Sequence, residues 1–575
     1  MRKTMLSIMA IVGVGAFALG MAACNNHKHV NLPKQNNVYH YIECTVCGEQ
    51  TEKAVHNFVD GVCSCGLEDR GTAGLSYALS ADGSYYVVNG AGSFTGDKLV
   101  IPAVHNGLPV RVIAKEAFKG NADITSLEVM SGVHLVEKSA FENCTSLTEI
   151  IIGEDVVSVE GNAFVGCSSI EKATVSTKAV YAVPTSALKE LIVQGGETLG
   201  VEDGLGDDIM VMRAAPVLEK VVIGDSVRNI YSAFYECKKL TDITLPDTVE
   251  RVEKSSFHAT GYWQDEENWD RGFLYLNKCL LGAKNTITGG VVIKDGTVVI
   301  AERAFDSFRE ITNVRIPASV RTIGEMAFSD CRALTSISFS EGLKYVADEA
   351  FISCDNLTDV VLPESVEYLG RHVFMDTAYY NDEANWNDGA LYNGKHLVAV
   401  KPDRAVGEFK IKKGTRTIGG YAFAGCTQLT GIELPDYLVG IGERAFAGCT
   451  ALTQAVIPDA VKTLGAGAFD QCAGLTEVKL SSSLQQLRSD TFAGCAALTS
   501  VSIPKNVQTI EHRAFDVNCV ALTSVVIEDV SGWVQFNFRF KSASMVLTSD
   551  WASAEDIAYA LKTTEYRDVF FKAKY

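Results

Sequence analysis

Apolar residues recur along the chain with a period of 23 residues, and one phenylalanine marks each period. In the stretch from Ala422 to Phe469, the phrase A-F-x-x-C-x-x-L-T-x-I-x-L-P-x-x-V-x-x-I-G occurs twice with small changes. The phenylalanines in this register are Phe118, Phe141 and Phe164; Phe234 and Phe257; Phe305, Phe328, Phe351 and Phe374; and Phe423, Phe446, Phe469, Phe492 and Phe515. A fixed period in the twenties predicts a solenoid, in which each repeat forms one coil and packs only on its neighbours.

Within each period the pattern L-x-x-V-x-I predicts a short strand, as at Leu498, Val501 and Ile503. This is the L-x-x-L-x-L part of a leucine-rich repeat, whose strands form a parallel sheet on the concave side. We expect the V-x-x-I-G-x-x-A-F section to turn around the convex side and to stack its phenylalanine on those of neighbouring coils. The predicted fold class is an α/β-type repeat solenoid, a leucine-rich-repeat array of 23-residue coils with a parallel concave β-sheet, mostly strands and short turns, and few helices.

Besides the irregular coils between Phe164 and Phe234, four stretches depart from this period. Residues 71–116 contain LSYALSADGSYYVVNG, where alternation around Asp82-Gly83 predicts a hairpin that caps the first coil. Two inserts, near residues 258–290 and 375–407, each carry a tryptophan 12 residues and a tyrosine 18 residues after a coil phenylalanine. We expect each insert to be a hairpin that projects from a coil and is held by its tryptophan. Residues 528–575 are expected to cap the last coil and to include a short helix at SAEDIAYALK.

The first residues are typical of an export signal. Residues 1–23 have a basic start, an apolar run and small residues before Cys24. The ending Leu-Gly-Met-Ala-Ala-Cys resembles the lipobox of bacterial lipoproteins, and cleavage there would leave the lipid on Cys24. The alternative is an ordinary signal peptide followed by an incidental cysteine. Residues 24–37 are polar and predict a tether, and the solenoid itself is predicted over residues 117–527.

Residues 38–70 form a cysteine-rich module that resembles a zinc ribbon. Its two cysteine pairs are Cys44 and Cys47 in C-x-x-C, and Cys63 and Cys65 in C-x-C. Two close pairs on tight turns can present four thiolates to one tetrahedral zinc, and His56 could replace one sulfur. The expected cofactor is therefore a structural zinc and no other. Two local disulfides, or four free thiols, are the alternatives.

Ten further cysteines belong to the repeat and follow the phenylalanine by three or four residues. Neighbouring strands lie about 4.8 Å apart, which is within the range of Cα separations that disulfides span. However, identical inward-pointing side chains run parallel, and a buried cysteine behaves as a small hydrophobe. We therefore expect these cysteines to be buried free thiols.

The repeat and the inserts together resemble a known family. The coil phrase, the N-G-x-P-V segment before the first coil and the paired inserts rich in tyrosine and tryptophan are similar to the BspA-like leucine-rich-repeat proteins of bacterial surfaces, here in a lipoprotein form. The resemblance extends from about Leu75 to the C-terminus. It implies a surface adhesin that binds host matrix proteins or other cells, and it assigns no binding role to single positions.

Composition and motifs narrow the function further. Seventy acidic against 51 basic residues give a net charge of -19, which argues against nucleic acid and against electrostatic adhesion to anionic lipid. The sequence contains no G-x-S-x-G, P-loop or H-E-x-x-H motif, so we expect that the protein is not an enzyme.

We therefore expect an exported, lipid-anchored, non-catalytic binding module at the bacterial cell surface. It would contact the membrane through the lipid on Cys24 and bind an unidentified extracellular protein or cell-surface ligand. A structural surface spacer or coat component without a ligand, or a glycan-binding surface protein, is the alternative.

Two surfaces are candidates for ligand binding. Outward strand positions such as Glu433, Val456 and Glu477 lack the Trp, Tyr and Arg that anchor tight interfaces, so they predict weak, multivalent contact. The inserts offer aromatic residues that are better candidates for a sharp epitope. These are Tyr262, Trp263, Tyr379 and Tyr380. The alternative is that they only pack the inserts onto the body.

Overall fold

The computed structural model describes residues 31–35, 38–44, 50–56, 58–59, 62–63, 65, 70–200, 211–529, 533–537, 542–545, 553–562 and 568–572. The predicted signal sequence, Cys24 and Cys47 lie outside these residues. The described chain forms a β-solenoid of about 19 turns with parallel sheets and very few helices. The predicted leucine-rich-repeat fold class is thereby confirmed.

A parallel ladder, here called the first ladder, runs through the predicted L-x-x-V-x-I positions. Its strands pair one period apart, as Asn313 does with Ser336 and Ser336 with Asp359. Its strands are Lys98–Ile101, Ser126–Val129, Glu149–Ile152, Lys172–Val175, Glu190–Val193, Lys220–Ile223 and Asp242–Thr244; Gly289–Val292, Ile311–Arg315, Ser336–Ser338 and Asp359–Val360; Gly407–Lys410 and Leu429–Glu433; Gln454–Val456 and Glu477–Lys479; and Ser500–Ile503 and Ser524–Ile527. Ile337 and Val360 are buried, as the alternation of apolar and polar residues requires.

A second parallel ladder runs through the V-x-x-I section. In it Thr322 pairs with Tyr345, and Tyr345 with Tyr368. Its strands are Tyr86–Gly90, Leu108–Ile113, Leu135–Val136 and Ser158–Val159; Thr198–Leu199, Asn229–Ile230 and Arg251–Val252; Cys279–Ala283, Val299–Ile300, Thr322–Ile323, Tyr345–Val346 and Tyr368–Leu369; His396–Val400, Thr417–Ile418, Gly440–Ile441 and Thr463–Leu464; and Gln486–Leu487 and Thr509–Ile510. The sequence pattern did not predict this ladder, because strands of two residues are too short to show alternation.

A column of stacked phenylalanines fills the coils, as predicted. The ring centroids of Phe423 and Phe446 lie 5.1 Å apart with 15° between the ring planes, and the other uninterrupted runs stack in the same way. The coil cysteine donates its S–H to the phenylalanine carbonyl of the preceding coil, as Cys472 does to Phe446 at 3.1 Å. The coil cysteines are buried free thiols, which confirms the expectation from sequence.

The second residue after the phenylalanine adopts a left-handed backbone conformation. Gly448 has a φ of 72° and Gln471 a φ of 57°. Their N–H groups donate to the carbonyls of Asp470 and Ala493 in the next coil, at 2.7 and 2.6 Å. This conformation therefore directs one backbone hydrogen bond per coil along the solenoid.

Each insert contains an antiparallel hairpin, as expected from the sequence. The first consists of a helix Gly261–Gln264, a 3-10 turn Glu266–Asn268, and strands Trp269–Asp270, Phe273–Leu276 and Cys279–Ala283. The second consists of a helix Ala378–Asn381, a 3-10 turn Glu383–Asn385, and strands Trp386–Asn387, Ala390–Asn393 and His396–Val400. The last strand of each insert pairs in parallel with the next coil and so begins a new segment of the second ladder.

Additional elements lie at the two ends of the solenoid. Before the first coil, an antiparallel hairpin joins Ser76–Leu79 to Tyr86–Gly90, and Val104–His105 pairs with Leu108–Ile113. After the last coil, helix Ala554–Lys562 packs Ile557 and Leu561 into the core. The strands Asp568–Lys572, Trp533–Asn537 and Ser542–Met545 extend the second ladder from Thr509–Ile510 in antiparallel order.

The cysteine-rich module is a small antiparallel sheet with a hairpin. Its sheet contains Tyr39–Cys44 and Gln50–Val55, and the hairpin pairs Phe58–Val59 with Val62–Cys63. A third strand of this sheet, Asn31–Gln35, lies in the stretch predicted as a tether, so that part of the tether prediction is wrong. The remaining 3-10 turns of the described chain are Val180–Ala182 and Lys254–Phe257.

Exchanging glycine and side-chain residues at the left-handed position should shift stability in opposite directions. We expect Gly448→Ala to destabilise the protein and Gln471→Gly to stabilise it, each by about 1 kcal/mol, because only glycine adopts this conformation without strain. Thermal unfolding followed by circular dichroism measures both variants. A loss of stability in Gln471→Gly would contradict the backbone assignment.

Candidate functional sites

Three potential metal ligands meet at the end of the cysteine-rich module. The Nδ1 atom of His56 lies 3.3 Å from the Sγ atom of Cys63 and 3.3 Å from that of Cys65. The three ligand atoms all lie within 4.8 Å of one another. His56 directly follows the strand Gln50–Val55, and Cys63 ends the hairpin, so two short elements bring the three side chains together.

The spacing of these atoms fits a tetrahedral zinc site. Zinc binds sulfur at about 2.3 Å and nitrogen at about 2.0 Å, so neighbouring ligand atoms of one ion lie about 3.5 Å apart. His56 and Cys63 are buried, at 0% and 3% exposure, and Cys65 is exposed. The sequence prediction treated His56 only as a substitute ligand, whereas the structure brings it next to the second cysteine pair.

The first cysteine pair is not brought to the cluster by the described residues. Cys44 ends the strand Tyr39–Cys44, but its side chain, like the whole of Cys47, lies outside the described part of the chain. The identity of a fourth ligand therefore stays a prediction, with both cysteines as candidates.

A cleft of about 330 Å³ lies on the second ladder, where coils that are not neighbours meet. The guanidinium of Arg251 lies 3.8 Å above the ring of Tyr345, which stacks on Tyr368 at 4.4 Å. Arg371 approaches Glu443 to 4.0 Å from a different segment of the ladder. At the inserts, segments of the second ladder lie side by side, so residues from coils that are not neighbours line one cleft.

At each insert one segment of the second ladder ends and the next begins beside it. These offsets, here called steps, create the cleft. The strand Tyr368–Leu369 ends one sheet and lies against the next sheet, near Gly440. A Cβ atom on Gly440 would lie 2.0 Å from the carbonyl oxygen of Glu367. The glycine at this position therefore allows the two backbones to approach, and the side chains beside them line the cleft.

Carboxylates outnumber guanidinium groups in the cleft. Burial, together with the neighbouring Glu253 and Glu325, raises the pKa of Glu302 from 4.5 to about 7. Burial and the neighbouring Asp348 likewise raise the pKa of Glu443 to about 7. At neutral pH these acids are therefore partly protonated, and the charge of the cleft changes near physiological pH.

The aromatic residues singled out in the inserts are half-buried and bonded within the insert. The hydroxyl of Tyr262 donates to the carbonyl of Tyr275 at 2.6 Å, and that of Tyr379 donates to Tyr392 at 2.6 Å. Trp263 accepts a hydrogen bond from the indole N–H of a second tryptophan through its carbonyl, and Tyr380 does the same. Their contacts are those of residues that pack the inserts, and their role in binding stays a prediction.

The cleft was not among the sites predicted from sequence, although one signal was available. The third residue before the coil phenylalanine is acidic in several coils, as at Glu302, Glu325 and Asp348, but it is Arg371 in the following coil. A comparison of this position between coils would have marked the change of charge. The outward positions of the first ladder, including Glu433, Val456 and Glu477, are exposed, as predicted.

A solenoid of short parallel strands with a phenylalanine and a cysteine in coil after coil defines a leucine-rich-repeat protein. The model of the BspA type leucine-rich-repeat region matches six copies, over residues 108–191, 214–264, 284–382 and 403–529. These residues make up more than half of the chain, which therefore belongs to the BspA-type leucine-rich-repeat family. Membership supports a repeat-based binding or surface protein, of a class that is typically non-catalytic.

Solved structures with similarity to this chain include leucine-rich-repeat proteins of bacteria. One from Bacteroides ovatus is 20% identical, with 76% of this chain and 94% of that chain covered and a TM-score of 0.19. A leucine-rich cell surface protein from Faecalibacterium prausnitzii is 19% identical, with 87% and 99% covered and a TM-score of 0.21. The leucine-rich-repeat protein of T. pallidum is 18% identical, with 51% and 92% covered and a TM-score of 0.19.

No curated protein matches the chain with significance. Among the described residues, none of the helices has the length and apolar character needed to cross a membrane.

Replacing Glu302 by glutamine should stabilise the protein at high pH only. A carboxyl whose pKa rises from 4.5 to about 7 on folding destabilises the folded state fully above pH 7 and not at all below about pH 4.5. We expect Glu302→Gln to gain about 2–3 kcal/mol at pH 8 and nothing at pH 4.5. Denaturant unfolding at the two pH values measures this, with the exposed Glu310→Gln as control. An equal gain at both pH values would contradict the assignment.

Proposed function

We propose that the protein is exported, carries a lipid on Cys24 at the bacterial cell surface, and binds an extracellular protein or a cell-surface ligand without catalysis. The sequence before Cys24 supports the lipid anchor. Membership of the BspA-type family supports binding through the repeats. Adhesion to host matrix protein or to other cells is the form of binding that this combination favours.

The observation that carries this proposal is the cleft on the second ladder. Coils of nearly uniform sequence differ there and present Tyr345, Tyr368 and Arg251 together. Tyrosine and arginine are the residues that anchor protein interfaces. The outward positions of the first ladder are mostly serines and isolated charges, so we assign the main contact to the cleft on the second ladder and only weak contact to the outward strand positions.

Two other functions remain as alternatives to adhesion. A structural spacer or coat component would need no ligand, and the regular outer positions of the first ladder are compatible with it. A glycan-binding protein would need exposed aromatic platforms, whereas the aromatic side chains of the inserts are bonded within the inserts. The cleft therefore favours a protein ligand.

We also propose that the cysteine-rich module holds a structural zinc. His56, Cys63 and Cys65 would bind it together with one thiolate of the first pair, Cys44 or Cys47. Such a closed site with four protein ligands stabilises a fold and leaves no position for a substrate. The metal would therefore contribute to stability and not to chemistry.

Replacing a tyrosine of the cleft should weaken binding to a matrix ligand. Surface plasmon resonance against a panel of purified matrix proteins should give saturable binding for the mature chain. We expect Tyr345→Ala to weaken it about tenfold or more, because an anchoring aromatic residue contributes about 2 kcal/mol. The exposed Tyr437→Ala, on the solenoid surface, is the matched control.

No binding to any matrix protein or cell extract would favour the spacer function. Equal losses in both tyrosine variants, with unchanged thermal stability, would remove the cleft from the binding surface.

The lipid anchor has a separate test. Mass spectrometry of the N-terminal peptide from a bacterial host should show acylated Cys24, and Cys24→Ser should release the protein from membranes. An unmodified cysteine in a correctly processed chain would contradict the anchor.

A further inference from the structure

The cysteine-rich module rests on the first coils through one apolar side chain. Val38 is 4% exposed and packs with Ala103, Val104 and Met130 of the solenoid. Gly132 leaves room for it, since a Cβ atom there would lie 2.3 Å from a methyl group of Val38. Ala103, Val104, Met130 and Gly132 thus form an apolar socket, and the side chain of Val38 fills it.

Val38 is tied to the metal cluster by a backbone hydrogen bond. The N–H of His56 donates to the carbonyl of Val38 at 2.9 Å. The ring of the same histidine contacts the sulfurs of Cys63 and Cys65. His56 therefore connects the cluster of metal ligands to Val38, whose side chain fills the socket.

Polar contacts beside the socket hold the same orientation. Arg111 donates to the carbonyl of Gly132 at 2.7 Å and to the hydroxyl of Tyr39 at 3.0 Å. Lys53 lies 4.2 Å above the ring of Tyr39. Tyr39, the residue next to Val38, is thereby bonded to a strand of the second ladder, so the module has a defined position on the solenoid.

The hairpin that carries Cys63 consists of two strands of two residues each, and isolated hairpins are only marginally stable. A metal ion that joins side chains from separate segments contributes its binding free energy to folding.

We propose that a zinc-class ion bound by His56, Cys63 and Cys65 acts as a clasp that locks the module onto the first coils. This inference rests on the structural zinc proposed above. The metal holds the imidazole of His56, the backbone of His56 holds Val38, and Val38 fills the socket. Loss of the metal releases the module while the solenoid stays folded.

The test uses the full mature chain, produced without the lipid, with zinc and after chelation by EDTA. Metal content is measured by elemental analysis, and hydrogen–deuterium exchange is followed over residues 38–56 and 99–113. We expect stoichiometric zinc, and loss of protection in both segments after chelation. Cys63→Ser should lose both the metal and the protection, with the unfolding temperature of the solenoid unchanged.

A second variant tests the packing of Val38 on the coils separately from metal binding. Val38→Asp should keep the metal and lose the protection of residues 99–113, whereas the exposed Val165→Asp on the solenoid should change neither. If chelation removed the zinc without any loss of protection, the clasp would be contradicted, but the metal site would not. A chain that binds no zinc, or whose intact mass shows disulfides at these cysteines, would overturn the metal site itself.

Discussion

The stacking of one phenylalanine on the next, one coil apart, is the interaction on which the rest of the structure depends. Such pairs contribute about 0.5–1.5 kcal/mol each beyond the burial of their area, and they set the 23-residue register of both ladders. The coil cysteine follows from this column, because its S–H reaches the phenylalanine carbonyl one coil away, as in Cys354 and Phe328 at 3.0 Å. The column therefore explains why cysteines recur in the coils as buried free thiols.

The places where the column is interrupted shape the molecule. Between Phe164 and Phe234, Met212 takes the position of the phenylalanine, and its carbonyl accepts the S–H of Cys237 at 2.9 Å. At the first insert, Phe273 packs edge-on against Phe305, and at the second, Phe409 does the same against Phe423. At each insert the packed core continues, whereas one segment of the second ladder ends and the next begins beside it.

These steps connect the repeat to function. A perfectly regular solenoid would present the same side chain at the same position in coil after coil. The steps instead bring Arg251 over Tyr345, and Arg371 to Glu443, from separate segments. The cleft on the second ladder is therefore where this chain differs from a generic coil, and the cysteine-rich module contacts the start of the same ladder through Tyr39 and Arg111.

The sequence was sufficient for the features that repeat and insufficient for those that depend on the steps. Periodicity gave the coil, the phenylalanine column, the buried thiols and the strands of the first ladder, because each is written many times in register. It could not give the second ladder, whose strands of two residues, such as Tyr368–Leu369, show no alternation. Nor could it rank His56 against four cysteines, since that choice depends on how the short hairpin folds back.

The most direct measurement of the central claim is a hydrogen–deuterium exchange footprint of a bound matrix protein on the mature chain. We expect protection centred on the second-ladder strands Tyr345–Val346 and Tyr368–Leu369, together with Gly440–Ile441 on the opposite side of the cleft. Protection confined to the first ladder or to the two inserts, with the cleft unchanged, would contradict it.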